Sequence, residues 1–71
     1  MGKQIFDATK LGGTIRSKRK ELGYTQLSLS QKVGCTEVYM NNIETGKHLP
    51  SGKLMKKIFS ALDMTMTITI K

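Results

Sequence analysis

The sequence has few of the residues that hold small domains together by covalent or metal bonds. It contains one cysteine, Cys35, so neither an internal disulfide nor a cysteine metal cluster can form, and a reducing, intracellular setting is favoured. No apolar run approaches the roughly 18 residues that span a bilayer, and Phe6 stands where a myristoylation signal requires Ser or Thr. We therefore expect a cytoplasmic protein with no membrane partner.

Acidic residues are scarce as well. Five Asp and Glu against twelve Lys and Arg give a formal net charge of +7, which attracts polyanions and favours binding through counterion release. Charge by itself does not distinguish nucleic acid from other partners. The sequence has no paired carboxylates, nucleophile with a base, or phosphate-cradling glycine loop, so we expect no enzymatic activity, cofactor or metal.

Apolar residues at helical spacing predict a first helix over residues 8–22, which Gly23 can end. Leu22 is expected on its buried side. Gly12 and Gly13 are poor helix formers, which leaves the first turn of this helix open.

Two short helices with a tight turn between them are predicted next. Thr25 can cap a helix over residues 26–33, Gly34 can end it, and Thr36 can cap a second helix that ends at Gly46. The positions at which the two helices of such a motif must pack together hold apolar or small residues, namely Leu29, Ser30, Val33, Cys35, Met40 and Ile43. This pattern predicts a helix-turn-helix, in which the second helix enters the major groove of DNA.

The period of the apolar pattern changes near the end of the chain. Ser51 can cap a last helix with an apolar residue at every fourth position, and from residue 64 onward apolar residues alternate with threonines. The apolar members of this predicted strand are Met64, Met66, Ile68 and Ile70. A lone strand cannot satisfy its backbone groups, so we expect antiparallel pairing with a second copy in a homodimer, the alternative being a frayed tail.

A single domain over residues 1–71 is therefore expected. Its helical body covers residues 8–63, and the dimerising strand covers residues 64–70. At this length the chain is small enough that dimerisation would add stability.

Several short segments resemble the Cro/CI-type (XRE family) helix-turn-helix repressors of phages. They are Thr25-Gln26, Leu29-Ser30, Val33-Gly34 and Ile43-Glu44-Thr45-Gly46-Lys47. The segments Lys3-Gln4-Ile5-Phe6 and Leu62-Asp63-Met64-Thr65-Met66-Thr67 are similar to HipB-type antitoxins. The resemblance implies a mainly α, lambda-repressor-like domain of four to five helices. It also implies a transcriptional repressor that binds double-stranded DNA and, as an antitoxin, a HipA-type Ser/Thr kinase toxin. The alternative is a phage-type repressor with no toxin partner.

The same resemblance assigns roles to individual residues. Base contacts are implied for Thr36, Glu37, Val38, Asn41 and Asn42, and phosphate contacts for Gln26, Tyr39 and Lys47. Arg19 and Glu44 are implied to form an ion pair. Chemically, Asn42 can pair with adenine and Glu37 can accept from cytosine. Two alternatives stay open, that Glu37 only complements the helix dipole and that Tyr39 packs on a neighbour.

Overall fold

A computed structural model describes residues 8–64, and these form four α-helices. They are α1 (Ala8–Glu21), α2 (Gln26–Val33), α3 (Glu37–Glu44) and α4 (Gly52–Ala61). The expected mainly α fold is confirmed. None of these helices is long and apolar enough to cross a membrane.

The expected C-terminal strand falls almost entirely outside this range. Met66, Ile68 and Ile70 lie beyond the described residues. Met64 is the last described residue, and its half-buried side chain packs against the core. The strand and its pairing across a dimer therefore stay predictions.

Hydroxyl side chains begin three of the four helices, as the sequence predicts. The hydroxyl of Thr25 accepts from the backbone N–H of Ser28 at 2.9 Å, and the hydroxyl of Ser28 accepts from the N–H of Thr25 at 2.9 Å. Thr36 and Ser51 cap α3 and α4 with one hydrogen bond each, their hydroxyls accepting from the N–H groups of Tyr39 and Leu54. Each cap satisfies an N–H group that has no partner within its helix.

Gly34 shapes the turn between α2 and α3. Its φ is +84°, in the left-handed region that glycine adopts without steric cost. The N–H groups of Gly34 and Cys35 both donate to the carbonyl of Ser30, at 2.8 and 2.9 Å. The turn therefore occupies only residues 34–36, as expected, and brings α3 back across α2.

The core lies where α3 packs against α1 and α2, and where α2 packs against α4. The buried apolar side chains are Ile15, Leu29, Val33, Met40, Ile43, Ile58 and Leu62. The expected burial of Leu22 is wrong, because this side chain is 44% exposed. α1 ends at Glu21, and the inward position four residues after Ile15 is occupied by Arg19, which is buried.

Gly12 lies where α1 crosses the end of α3. A Cβ atom at this position would stand 2.4 Å from the carbonyl oxygen of Ile43 and 2.5 Å from that of Glu44. Real Cβ atoms do not approach backbone so closely, so only glycine fits here. Gly13, the next residue, has open space around it.

The two adjacent glycines give a matched pair of stability predictions. Gly12→Ala should lower the free energy of unfolding by about 2 kcal/mol or more, because the added methyl group must push the helices apart. Gly13→Ala should raise it by about 1 kcal/mol, because alanine is the better helix former. Urea unfolding followed by circular dichroism measures both. Equal effects of the two variants would contradict the close packing at Gly12.

Candidate nucleic-acid interface

The outward face of α3 presents most of the residues predicted to contact bases. Met40, Ile43 and Glu44 face the interior, whereas Val38 is 71% exposed although it is apolar. The other predicted base-contact residues in and before α3 are exposed (Thr36, Glu37 and Asn41) or half-buried (Asn42). The helix thus has one face fixed in the core and one face free for a partner.

A buried ion pair joins α1 to α3. The guanidinium of Arg19 donates to both carboxylate oxygens of Glu44, from Nε to Oε2 at 2.7 Å and from Nη2 to Oε1 at 3.1 Å. Its Nη1 donates to the carbonyl of Tyr24 at 2.8 Å. The side chains are only 8% and 1% exposed. This is the pair that the family resemblance implies, and its two-pronged geometry sets the orientation of the carboxylate.

Gln26 connects this ion pair to the exposed face of α3. Its side-chain nitrogen Nε2 lies 3.0 Å from Oε1 of Glu44 and 3.1 Å from Oδ1 of Asn41. The hydrogen bonds therefore run without a break from Arg19, in the interior, to the exposed Asn41. The first residue of α2 is held against α3 by a side chain rather than by the turn alone.

The remaining predicted phosphate contacts are Tyr39, in the first turn of α3, and Lys47, beyond the end of this helix. The half-buried ring of Tyr39 packs against the core and stacks on His48, with ring centroids 5.7 Å apart. Lys47 is exposed, and its N–H donates to the carbonyl of Asn42 at 2.9 Å. The ring of Tyr39 thus packs on a neighbour, and its contact with a phosphate stays a prediction.

Arg16 and Thr45 were not predicted from the sequence to belong to the site. Both line one open groove, together with Gln26, Glu37 and Asn41. Arg16 stands three residues before Arg19, so the two share one side of α1, and this spacing could have indicated its position. It adds a positive charge beside the exposed face of α3.

The thiol of Cys35 lies in the turn between α2 and α3. It is partly buried and packs against the core. Burial raises the pKa of Cys35 because the apolar surroundings disfavour the thiolate. The side chain therefore acts as a small apolar group in the turn rather than as a reactive nucleophile.

Comparison with known protein families decides the affiliation of the chain. The model of the Helix-turn-helix family (HTH_3) matches residues 15–68. The chain belongs to this family. In this helix-turn-helix protein the motif is α2, the turn at residues 34–36 and α3, so α3 takes the position of the recognition helix. The protein is a helix-turn-helix DNA-binding regulator.

Individual relatives of this helix-turn-helix protein come from a phage and from bacteria. It is 31% identical over 64 residues to the "ImmF control region 10 kDa protein" of Bacillus phage phi105, covering 90% of this chain and 71% of that protein. It is 28% identical over 65 residues to "Antitoxin HipB" of Escherichia coli O6:H1, covering 92% and 69% respectively.

A solved structure has the same fold. A chain of the "Structure of HipA-HipB-O2-O3 complex" superposes with a TM-score of 0.75 at 25% identity, covering 97% of each chain. That chain thus has the same architecture of helices as this protein.

The Arg19–Glu44 pair gives a direct stability prediction. Arg19→Ala should lower the free energy of unfolding by about 3–5 kcal/mol, because Glu44 would be left as a buried, uncompensated charge. Lys20→Ala, at the exposed neighbouring position on α1, is the control and should change stability little. Thermal and urea unfolding measure both variants. An Arg19→Ala protein that melts like the unaltered chain but loses DNA affinity would contradict the structural role.

Proposed function

We propose that this chain is a transcriptional repressor that binds double-stranded DNA in a sequence-specific manner as a homodimer. The observation that carries the proposal is the exposed face of α3, which is fixed to the core through Arg19, Glu44 and Gln26. A rigid exposed helix with amide, hydroxyl and apolar side chains can distinguish base pairs in the major groove.

Base edges and phosphates are assigned to different parts of this surface. The proposed base contacts are those implied by the resemblance, namely Thr36, Glu37, Val38, Asn41 and Asn42. Val38 is exposed enough to touch a thymine methyl group. Gln26, Tyr39 and Lys47 are proposed to lie along the phosphates, and the position of Arg16 in the same groove supports adding it to them.

A homodimer would place two α3 helices in successive major grooves, about 34 Å apart, on an inverted repeat. Dimerisation is expected from the C-terminal strand over residues 64–70. Binding across a promoter would exclude RNA polymerase and so repress transcription. The surplus of positive charge on the chain would add to the affinity through counterion release.

The preferred biological setting is an antitoxin and autorepressor encoded beside a HipA-type Ser/Thr kinase toxin. Similarity to Antitoxin HipB, and to a chain from a complex that contains HipA, supports this setting. The second candidate is a phage repressor without a toxin partner, which the similarity to the phage phi105 control-region protein supports. Both candidates require the same DNA-binding surface.

A footprint on the DNA upstream of its own gene tests the proposed DNA binding. We expect protection of two half-sites related by two-fold symmetry, with affinity that falls steeply as salt is raised. Asn42→Ala should weaken operator binding about tenfold or more, because a base contact is lost. Gln31→Ala, an exposed change on α2 in the groove facing α4, is the control and should bind normally. Asymmetric protection, or equal binding by both variants, would contradict the proposal.

Co-expression with the product of the neighbouring gene separates the two biological settings. For the antitoxin, a kinase-like neighbour should purify with this chain as a stable complex and should be inhibited by it. A chain flanked by phage genes that forms no such complex would instead be the phage-type repressor. The binding measurements on DNA are unaffected by either result.

A further inference from the structure

The side-chain amides of Gln26 and Asn41 reach the surface, and their hydrogen bonds fix their orientation. A side-chain amide offers a donor nitrogen on one side and an acceptor oxygen on the other, and rotation by 180° exchanges them. Which of the two groups faces the solvent therefore depends on the partner of the amide in the interior. For Gln26 this partner is the carboxylate of Glu44.

A carboxylate only accepts hydrogen bonds. Arg19 occupies both oxygens of Glu44, and Oε1 also lies 3.0 Å from the Gln26 side chain. The Gln26 atom at this position must be nitrogen, because its oxygen would face another acceptor. The buried ion pair thus fixes the amide of Gln26 with its nitrogen inward.

The same constraint passes on to Asn41. The Gln26 nitrogen has two hydrogens, of which one goes to Glu44 and the other to Oδ1 of Asn41 at 3.1 Å. Asn41 must turn its oxygen toward Gln26, because two amide nitrogens would otherwise face each other. Within residues 8–64, no further hydrogen bond is made by Nδ2 of Asn41 or by Oε1 of Gln26.

We propose that the buried Arg19–Glu44 pair sets the hydrogen-bond polarity of the DNA-binding surface, so that Asn41 offers a donor and Gln26 an acceptor. Asn41 then donates to a major-groove acceptor, which guanine, adenine and thymine present and cytosine lacks, so this side chain determines specificity by discriminating against cytosine. The side chain of Gln26 cannot donate to a phosphate in this arrangement. Its backbone N–H, at the start of α2, is the group left for that contact.

This inference rests on the proposed DNA binding, but its first test needs no DNA. Exchange with water of the side-chain amide protons is measured by NMR on the free protein. The Gln26 protons should exchange about tenfold more slowly than those of Gln31, the exposed glutamine of the same helix, because both are hydrogen-bonded. The Asn41 protons should exchange as fast as those of Gln31. Protected Asn41 protons with unprotected Gln26 protons would overturn the inference, whatever the DNA measurements give.

The second test uses Asn41→Asp, which keeps an acceptor for Gln26 but replaces the outward donor with an acceptor. The added charge weakens binding to every sequence alike, so the readout is base preference, measured on operators with each base at each position. At one position per half-site the preference should move from bases that present an acceptor to cytosine, whose amino group is a donor, by about fivefold or more. Asn41→Ala, the matched control, should lose the preference there without gaining a new one. An Asn41→Asp protein with unchanged preference at every position would overturn the assignment.

Discussion

The hydrogen-bonded ion pair between Arg19 and Glu44 connects the interior of the domain to its exposed surface. It stands where α1, the start of α2 and the end of α3 meet, and it replaces an apolar contact at the inward position after Ile15. A buried pair of this kind adds little net stability over apolar packing, because removing two charges from water is costly. The pair instead fixes an orientation, since a two-pronged contact permits one orientation of the carboxylate. This carboxylate in turn determines how the surface amides of Gln26 and Asn41 are oriented.

The close approach of α1 to α3 is the second constraint, and the ion pair depends on it. The guanidinium of Arg19 reaches Glu44 because Gly12 lets the two helices cross almost backbone to backbone. A methyl group there would separate the helices near the very residue that orients the surface. The cost of a glycine inside a helix is thereby offset by the contact that it makes possible.

Local signals in the sequence predicted much of this fold. The caps at Thr25, Thr36 and Ser51 and the turn at Gly34 depend on neighbouring residues alone, so the helices lie close to where they were expected. Contacts between distant segments were harder to predict. Leu22 was wrongly assigned to the interior because helical spacing does not reveal where a helix ends.

The residues of the candidate site also fall into those that could be predicted from the sequence and those that depend on packing between helices. The exposed face of α3 followed from the motif, and the partners Arg19 and Glu44 followed from the resemblance to a family. The spacing of Arg16 from Arg19 on α1 could have indicated that Arg16 lines the groove. The bridging role of Gln26 depends on how α2 packs against α3, which no local pattern contains. The predicted strand over residues 64–70 still depends on its alternating sequence alone.

The central claim is that DNA is bound by the outward face of α3 and the start of α2, and not simply by the positive charge of the chain. An NMR titration of the labelled protein with its operator duplex tests this most directly. The account predicts the largest shifts at Gln26, Val38 and Asn41. The groove between α2 and α4, which Lys32 and Lys57 line, should change little. Shifts concentrated along those lysines would contradict the account.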